Sequence, residues 1–551
     1  MGGISQAATV GWNLLRHPGD TLRTAGRLGA FDPLLGVARA AALRRWGPGL
    51  GALVAAAARR YPDRVAVIDE TAALTYRELD GRTASIAAGF VDRLGASARG
   101  GEPAAVGILA RNHRGFLEAQ IGIERAGLDL VLLSTALPAA GLAVVAERER
   151  LALIVADEEL LGLVSQAGYG DRALTADGRG PGTVDELARS DRTVPGPRHR
   201  SGLVILTSGT TGPPRGARRT GGTAGADAMS IFDAIPYRVG DVHHPAAPLF
   251  HAWGLSQAAI ALGTASTVVL RRRFDAAAVW DLVDIHRVSV LSVVPTMLGR
   301  LLGAAGDRPA PASLRVVASS GNVLPAGMAA AFMDRFGDTL YNLYGSTEAS
   351  IATIAGPEDL RAAPGTVGRP PAGVTVAILD AEGRPVPVGG RGRVFVGNSM
   401  QFDGYSDGGD RERAGALMAT ADLGWFDGEG RLFVDGREDD LIVTGGENVF
   451  PSEVEEVLEG LPGVDEAAVV GPPDDEYGQV VVAYVVPTEG TELDPAELRA
   501  AAALTLARFK VPRRITVIDA LPRTATGKLM RRIMPALRPS GPARQYTEPS
   551  E

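Results

Sequence analysis

A cluster of glycine and hydroxyl residues near residue 207 could bind phosphate. Ser201–Leu206 is predicted to form an apolar strand, and it leads directly into Thr207-Ser208-Gly209-Thr210-Thr211-Gly212-Pro213-Pro214-Arg215-Gly216. Glycines let backbone N–H groups turn toward an anion, the hydroxyls add donors, and Arg215 adds a positive charge. The segment lacks the Gly-Lys-Ser/Thr ending of a Walker loop. By composition alone, a polyphosphate site and an ordinary surface turn explain it about equally well.

Further along the chain, several short segments combine polar side chains with glycine. They are Pro248–Gly254 with His251, Val316–Asn322 with Gly321, Tyr344-Gly345-Ser346-Thr347-Glu348, Thr420-Ala421-Asp422-Leu423-Gly424, Gly436–Asp440 with Arg437 and Asp439, Ile442–Pro451 with Gly445, Gly446 and Glu447, and Leu521–Lys528. Each segment alone also has a structural explanation. His251 fits a structural histidine, and Thr347 with Glu348 fits the first turn of a helix.

Lysine is almost absent, which draws attention to the two that remain. Lys510 and Lys528 are the only lysines among 56 basic residues. Lysine is a compact point charge on a flexible stem, whereas arginine is a planar fork. A lysine kept against this bias is a candidate for a role that arginine cannot fill, although chance also explains one or both.

The composition excludes several classes of protein. The chain has 551 residues, a net charge of −8 and no cysteine. These values exclude disulfides, thiolate metal sites and a cysteine nucleophile, and they argue against a nucleic-acid partner. No apolar run reaches the roughly 20 residues that span a bilayer, and no secretory signal is expected. The prediction is a cytoplasmic protein, at most peripheral on the inner face of the membrane, with a homodimer left open.

The elements that must position these residues follow a βα pattern. Short apolar runs alternate with helical stretches from about residue 50 to 435, as in the predicted strand Ala104–Leu109 and helix Gly115–Ala126. This pattern predicts an α/β protein with mostly parallel, helix-covered sheets, a small β-rich subdomain and a smaller mobile α+β C-terminal domain. Asp177–Arg200 is predicted to be a long surface loop.

Three segments are predicted. Residues 1–45 form an N-terminal extension, 46–436 a large domain and 437–551 a small one, with a hinge near Asp439. In the extension, Gly29, Pro33 and Gly36 are expected to interrupt any long helix. The extension is therefore expected to pack on the first domain, with an amphipathic membrane-surface helix as the alternative.

Taken in order, the motifs from residue 207 to 528 resemble those of the adenylate-forming superfamily, and of its acyl-CoA synthetases in particular. The resemblance covers about residues 50–540, with arginine at 215 where lysine is usual and alanine at 421 where glycine is usual. It implies a large AMP-binding domain for residues 46–436. It also implies that the enzyme uses ATP, Mg²⁺ and coenzyme A to convert a carboxylic acid into an acyl-CoA, releasing AMP and pyrophosphate.

The resemblance also implies roles for individual residues. It assigns ATP and AMP binding to Thr207, Ser208, Gly209, Thr210, Thr211, Gly212, Arg215, Gly321, Tyr344, Gly345, Thr347, Asp422 and Arg437. Catalysis is assigned to Lys528, Glu348 and His251, with Glu348 carrying the metal and Lys528 offsetting the charge that builds during adenylation. Asp439 is the implied hinge, and Gly445, Gly446 and Glu447 line the path of coenzyme A.

Members of the superfamily that activate amino acids place an aspartate near the acyl entrance to hold the ammonium group, and Pro248–Leu255 contains none. The resemblance therefore implies an acid without an α-amine. Val443–Pro451 most resembles fatty-acyl members, so a fatty acid is the first expectation. The alternatives are an aryl-acid or short-acid CoA ligase, a ligase that loads a carrier protein, and an inactive lipid-binding or scaffold homologue.

Overall fold

The structure, a computed structural model, divides into two compact units. It describes residues 24, 26–28, 32–94, 103–189, 192, 194, 196–197, 199–207, 214–220, 226–474, 476–524, 528–537 and 545–547. The first unit comprises Met1–Pro364, Gly368–Thr375 and Gly397–Glu412, and the second comprises Gly365–Val367, Val376–Val396 and Arg413–Glu551. The second unit thus includes residues on both sides of position 436, and the boundary between predicted domains at that position remains a prediction.

Two sheets form the first unit. Their strands are β1 (Val65–Ile68), β2 (Ala73–Thr75), β3 (Ala105–Leu109), β4 (Asp129–Leu132), β5 (Leu151–Ala156), β6 (Ala173–Thr175), β7 (Leu203–Thr207), β8 (Arg215–Arg219), β9 (Val242–Pro245), β10 (Thr267–Val269), β11 (Val290–Val293), β12 (Val316–Ser320), β13 (Leu340–Ser346), β14 (Ser350–Ala355) and β17 (Gly404–Tyr405).

Most neighbouring strands in both sheets are parallel. The eight-stranded sheet has the order β14-β13-β12-β11-β9-β10-β1-β2, and only its two outer pairs are antiparallel. The seven-stranded sheet has the order β17-β8-β7-β4-β3-β5-β6, with antiparallel pairing only at the β17-β8-β7 side. The buried apolar runs of the sequence form the parallel strands, as the βα pattern predicts.

Thirteen described α-helices alternate with these strands along the chain of the first unit. They are α1 (Pro33–Trp46), α2 (Leu50–Arg60), α3 (Tyr76–Leu94), α4 (Arg114–Ala126), α5 (Ala139–Arg148), α6 (Leu161–Gln166), α7 (Val184–Ala188), α8 (Ala226–Ala234), α9 (Ala252–Gly263), α10 (Ala276–Ile285), α11 (Pro295–Gly303), α12 (Ala326–Phe336) and α13 (Pro357–Ala362). Short 3₁₀ turns lie at Glu158–Leu160 and Gly170–Arg172. Among the described residues, no helix has both the length and the apolar character needed to cross a membrane.

Two expectations about this unit are wrong. Helix α1 continues through Gly36, because Pro33 occupies its first position, where proline is compatible with a helix, and Asp32 caps the N-terminus. One exposed glycine costs a helix only about 1 kcal/mol, and buried residues such as Trp46 offset that cost. The predicted loop Asp177–Arg200 contains α7, whose first turn is capped by the hydroxyl of Thr183.

The second unit contains three sheets. Its strands are β15 (Thr375–Leu379), β16 (Gly392–Gly397), β18 (Arg413–Ala414), β19 (Leu417–Phe426), β20 (Leu432–Arg437), β21 (Ile442–Thr444), β22 (Glu447–Val449), β23 (Val464–Val470), β24 (Pro473–Asp474), β25 (Gly478–Gln479), β26 (Val482–Pro487), β27 (Arg514–Val517) and β28 (Gln545–Thr547). Its helices are α14 (Pro451–Glu459) and α15 (Pro495–Ala502), with 3₁₀ turns at Glu438–Asp440, Arg508–Lys510 and Arg531–Ala536.

Each of these sheets is small. β15, β16, β18, β19 and β20 form a five-stranded sheet, and β21, β22, β24 and β25 form an antiparallel four-stranded sheet. The third sheet has the order β23-β26-β27-β28, with β26 and β27 parallel. Residues of α14 and α15 pack with this sheet in one apolar cluster. The predicted fold class is confirmed: parallel helix-covered sheets, a β-rich part and a C-terminal α+β part.

Candidate functional site

Three of the predicted segments meet at one edge of the eight-stranded sheet. His251 follows β9, Gly321 follows β12, and Tyr344 lies near the end of β13. These strands belong to the parallel part of the sheet, so their carboxyl ends share an edge. In open α/β sheets this edge is where ligands usually bind.

The segment Tyr344–Glu348 adopts a hairpin. β13 pairs antiparallel with β14, and Ser346 lies opposite Ser350. The alternative prediction, a strand followed by a helix that begins at Thr347, is therefore wrong. A Cβ on Gly345 would lie 1.9 Å from the backbone oxygen of Ser350, so only glycine fits there. Glycine permits the tight hairpin that carries Thr347 and Glu348.

Glu348 is a buried carboxylate with two partners on one oxygen. The Tyr405 hydroxyl donates to its Oε1 at 2.6 Å, and Nη2 of Arg411 lies 3.2 Å from the same atom. Burial raises the pKa of Glu348, but the hydrogen bond from Tyr405 and the charge of Arg411 outweigh burial and hold that pKa below its ordinary value. The carboxylate is thus ionised at neutral pH.

This carboxylate fits the Mg²⁺ that the sequence resemblance implies. Among the described residues no cluster of three or more His, Cys, Asp or Glu side chains could hold a metal by itself. Nucleotide-bound Mg²⁺ needs only one or two carboxylates, since phosphate and water supply the remaining oxygens. A single ionised glutamate matches that need.

The start and the end of the predicted phosphate loop lie within the described residues. Ser208, Gly209, Thr210, Thr211 and Gly212 lie outside them, and their assignment stays a prediction. Thr207 ends β7, Arg215 begins β8, and the Thr207 hydroxyl donates to the backbone oxygen of Arg215 at 3.2 Å.

Arg215 makes its strongest contacts with the segment that includes β17. Its Nε and Nη2 donate to the two carboxylate oxygens of Asp407, each at 2.8 Å. Its guanidinium carbon lies 3.7 Å from the ring centre of Tyr405. The hydrogen bond from Arg215 is the main cause that lowers the pKa of Asp407 to about 2. The structure therefore joins Arg215 to Glu348 through Tyr405.

Strand β8 also reaches the hairpin turn. Arg219 donates to the backbone oxygens of Thr347 and Met400. This guanidinium links the strand after the phosphate loop to the turn that carries Glu348. Thr207, Arg215, Thr347 and Glu348 therefore belong to one connected region of the first unit.

His251 lies at the N-terminus of α9 and is uncharged at neutral pH. Burial lowers its pKa to about 4. Its ring packs beside Phe250 with 4.6 Å between ring centres, and its Nε2 has no hydrogen-bond partner among the described residues. A neutral histidine can donate or accept one hydrogen bond to a bound molecule.

In the second unit, Asp422 and Arg437 face each other across β19 and β20. They are opposite residues in the ladder, and Nη1 of Arg437 lies 3.6 Å from Oδ1 of Asp422. Asp439 follows, with its Oδ2 3.8 Å from Nη2 of Arg437. Nε of Arg437 is buried and has no hydrogen-bond partner among the described residues. Ala421 adopts a left-handed backbone with φ of 63°, which is the conformation that the family's usual glycine favours.

The glycines of the predicted coenzyme A path form a turn. Gly445 and Gly446 have φ of 57° and 86° and connect β21 to β22, with Glu447 as the first residue of β22. Two central residues with positive φ are what a two-residue hairpin of this kind requires. The turn explains both glycines locally, and their contact with coenzyme A stays a prediction.

Lys528 and Thr524 are joined by two hydrogen bonds. The Lys528 N–H donates to the Thr524 hydroxyl at 3.1 Å, and the Thr524 N–H donates to the Lys528 carbonyl at 2.8 Å. Lys510, whose role the sequence leaves open, donates to both carboxylate oxygens of Glu453 at 2.6 and 2.7 Å. Lys510 therefore has a local structural partner. The predicted site residues are divided between the units, with Lys528, Asp422 and Arg437 in the second.

Sequence reasoning missed four residues around Glu348. Tyr405 and Arg411 hold the carboxylate, Asp407 holds Arg215, and Arg219 holds the turn. A signal was present in the charged run that follows a tyrosine, Tyr405-Ser406-Asp407-Gly408-Gly409-Asp410-Arg411-Glu412-Arg413. Nothing in that run specifies which charge pairs with which distant residue.

Family comparison matches most of the chain. The model described as AMP-binding enzyme matches residues 54–406, and the model described as AMP-binding enzyme C-terminal domain matches residues 453–528. The chain is 35% identical over 335 residues to an indoleacetate–CoA ligase of Aromatoleum aromaticum, covering 59% of this chain and 65% of that relative. It is 32% identical over 484 residues to a feruloyl-CoA synthase of Amycolatopsis sp., covering 85% and 95%.

A solved structure has a similar fold. It is the o-succinylbenzoate CoA synthetase (MenE) from Bacillus subtilis in complex with the acyl-adenylate intermediate OSB-AMP. The TM-score is 0.78 and the sequence identity 27%, and the match covers 89% of this chain and 99% of that one.

Proposed function

Because the chain belongs to the AMP-binding enzyme family, we propose that it is an ATP-dependent, AMP-forming ligase that joins a carboxylic acid to coenzyme A through an acyl-adenylate. Membership confirms the resemblance drawn from the ordered motifs. The observation that carries the proposal is the ionised Glu348, held by Tyr405 and Arg411 at the sheet edge shared with Gly321. The names of both curated relatives support it, since one is an indoleacetate–CoA ligase and the other a feruloyl-CoA synthase.

The proposed reaction has two steps. In the first, a carboxylate oxygen of the acid attacks the α-phosphorus of ATP, the bond to the β-phosphate breaks, and pyrophosphate leaves. In the second, the thiol of coenzyme A attacks the acyl carbon, the bond to AMP breaks, and the thiol proton is released. Adenylation is needed because a free carboxylate is a poor acyl donor.

Residues of this chain serve defined parts of the first step. The Lys528 ammonium offsets charge on the reacting carboxylate and α-phosphate, and Thr347 donates its hydroxyl to the α-phosphate. Tyr344 stacks on adenine, while Asp422 and Arg437 bind the ribose. Glu348 would hold Mg²⁺, which would supply charge neutralisation at the phosphates. Asp439 is the proposed pivot that brings Gly445, Gly446 and Glu447 to coenzyme A for the second step.

Two observations bear on the acid and point in different directions. The sequence Val443–Pro451 favours a fatty acid, whereas the two curated relatives are named for indoleacetate and ferulate. The first proposal is a fatty acid, and an aromatic acid is the second. Either acid fits Pro248–Leu255, which contains no acidic residue to hold an α-ammonium group.

A single series of assays tests both the proposed CoA-ligase activity and the class of acid. AMP release is measured with ATP, Mg²⁺ and coenzyme A across acetate, short to long fatty acids, benzoate, indoleacetate, ferulate and amino acids, and thioester is identified by mass. Lys528→Ala should reduce turnover about 10²- to 10³-fold, as loss of one group that stabilises transition-state charge does. Lys510→Ala is the matched control, because it removes the other lysine and should leave turnover near that of wild type.

The outcomes separate the alternatives. Acid-dependent AMP and thioester formation supports a CoA ligase, and the best acid decides between fatty and aromatic specificity. AMP formation with a carrier protein but not with coenzyme A favours a carrier-loading ligase. ATP binding with no AMP from any acid or acceptor would overturn the enzyme assignment and favour the scaffold alternative.

A further inference from the structure

Arg215 occupies a position where its charge is already paired. Its Nε and Nη2 form two parallel hydrogen bonds with Asp407, a geometry that arginine allows and lysine does not. The two side chains are 40% and 39% exposed, so the ion pair by itself adds little to stability. Its geometry, however, fixes where the guanidinium lies.

The surrounding backbone leaves room for this arrangement. A Cβ on Gly409 would lie 2.0 Å from Nη2 of Arg215 and 3.2 Å from Oδ1 of Asp407. Gly409 has no left-handed backbone that would otherwise require glycine. A side chain at 409 would therefore displace the Arg215 guanidinium from its place beside Asp407.

The ion pair of Arg215 and Asp407 lies against Tyr405, which contacts Glu348. The guanidinium lies on the face of Tyr405, and the Tyr405 hydroxyl donates to Oε1 of Glu348. Backbone pairing of Tyr405 with Ala217 joins β17 to β8, the strand that Arg215 begins. Asp407, Arg215, Tyr405 and Glu348 thus form a continuous chain of contacts.

We infer that Arg215 and Asp407 are a positioning pair for Glu348, acting through Tyr405, and that Arg215 is not a ligand of the ATP phosphates. The inference rests on the proposed function, because it gives Glu348 a role with nucleotide and Mg²⁺. It replaces the phosphate contact assigned to Arg215 by resemblance. It also accounts for arginine at 215 together with an acidic residue at 407 and glycine at 409.

The two roles for Arg215 predict opposite effects of neutralising Asp407. If Arg215 binds phosphate, Asp407→Asn frees a cation and removes a nearby negative charge, so ATP binds more tightly. If Arg215 and Asp407 position Tyr405 and Glu348, the same substitution leaves Tyr405 and Glu348 less firmly held. Adding Mg²⁺ then increases the affinity for ATP by a smaller factor. The decisive quantity is the ratio of the ATP dissociation constant in EDTA to that in saturating Mg²⁺.

The experiment measures this ratio by isothermal titration calorimetry on the full chain without acid or coenzyme A. Asp407→Asn and Gly409→Ala should each lower the ratio roughly three- to fivefold, as expected for loss of one held ion pair and its ring contact. Gly409→Ala displaces the guanidinium without changing any charge. Asp63→Asn is the matched control, since it removes the acid of a different exposed ion pair, that with Arg77, and should leave the ratio unchanged.

A double variant completes the test. Arg215→Gln with Asp407→Asn should lower the ratio no further than either substitution alone, because both remove one interaction. Tighter ATP binding by Asp407→Asn, or an unchanged ratio in Gly409→Ala, would overturn the inference while leaving the proposed function intact. Absence of ATP binding by the wild-type chain would instead overturn the proposed function, and the inference with it.

Discussion

Replacing Ala421 with glycine should stabilise the strand pair that carries Asp422 and Arg437. Ala421 has φ of 63°, where a Cβ crowds the following carbonyl and costs roughly 1–2 kcal/mol. Glycine avoids this crowding but loses roughly 0.5–1 kcal/mol more chain entropy on folding. The net gain is on the order of 0.5–1 kcal/mol. Because glycine keeps the same backbone, the contact between Asp422 and Arg437 should persist.

Hydrogen exchange monitored by mass spectrometry measures this gain locally, which matters because a chain of two compact units need not unfold in one step. Peptides covering β19 and β20 should exchange about two- to fivefold more slowly in Ala421→Gly when exchange follows the opening equilibrium. Ala419→Gly is the control, because Ala419 lies in the same strand without a positive φ. Glycine there only adds chain entropy to the unfolded state, so the same peptides should exchange faster in Ala419→Gly. Unchanged or faster exchange in Ala421→Gly would refute the claim that residue 421 is strained.

Three further substitutions test the half-buried carboxyl of Glu459, the buried guanidinium of Arg125 and the glycine at position 345. Burial is the main cause that raises the pKa of Glu459 to about 7. The folded state therefore holds the carboxyl proton more tightly than the unfolded state does. For that reason the free energy of unfolding decreases as pH rises through about 7. Glu459→Gln should therefore raise the melting temperature at pH 8 more than at pH 5.5, and an equal shift at both would contradict this. Arg125→Met should cost about 3 kcal/mol of local stability, measured by hydrogen exchange of peptides that cover α4, because the fully buried guanidinium donates to Asp80 and to two backbone carbonyls. A loss below about 1 kcal/mol would contradict this. Gly345→Ala should prevent correct folding of the β13–β14 hairpin and lower soluble yield, whereas Gly428→Ala, with open space at its Cβ, should not.

Much of the fold could be predicted from local patterns. Apolar runs bounded by helical stretches indicated strands such as Leu151–Ala156 and Val464–Val470, and the structure has both with those bounds. The errors have local causes as well. Helix α1 begins at Pro33, is capped by Asp32 and continues through Gly36. Helix α7 begins after the Thr183 cap, inside a polar stretch. Such small contributions from capping are not visible in the hydrophobic pattern.

The functional region was predictable only in part. The order of the motifs indicated the family, which the comparison confirms, and it indicated Glu348 and Asp422 as candidates. It did not indicate a hairpin at Tyr344–Glu348, because a short segment of this composition also suits a helix start. It did not indicate the partners of Glu348 either, since they come from a segment more than fifty residues away in the chain.

The sequence by itself determined most of the strands and helices, their order along the chain, and which chemical groups the chain carries. Those properties depend on neighbouring residues, through apolar periodicity and the conformational limits of glycine and proline. Only the tertiary structure decided that Arg215 pairs with Asp407, 192 residues away, rather than with another of the 64 acidic residues. The physical reason is that an ion pair needs a distance of a few ångströms and a matched orientation, and for distant residues only the packing of strands β8 and β17 supplies both.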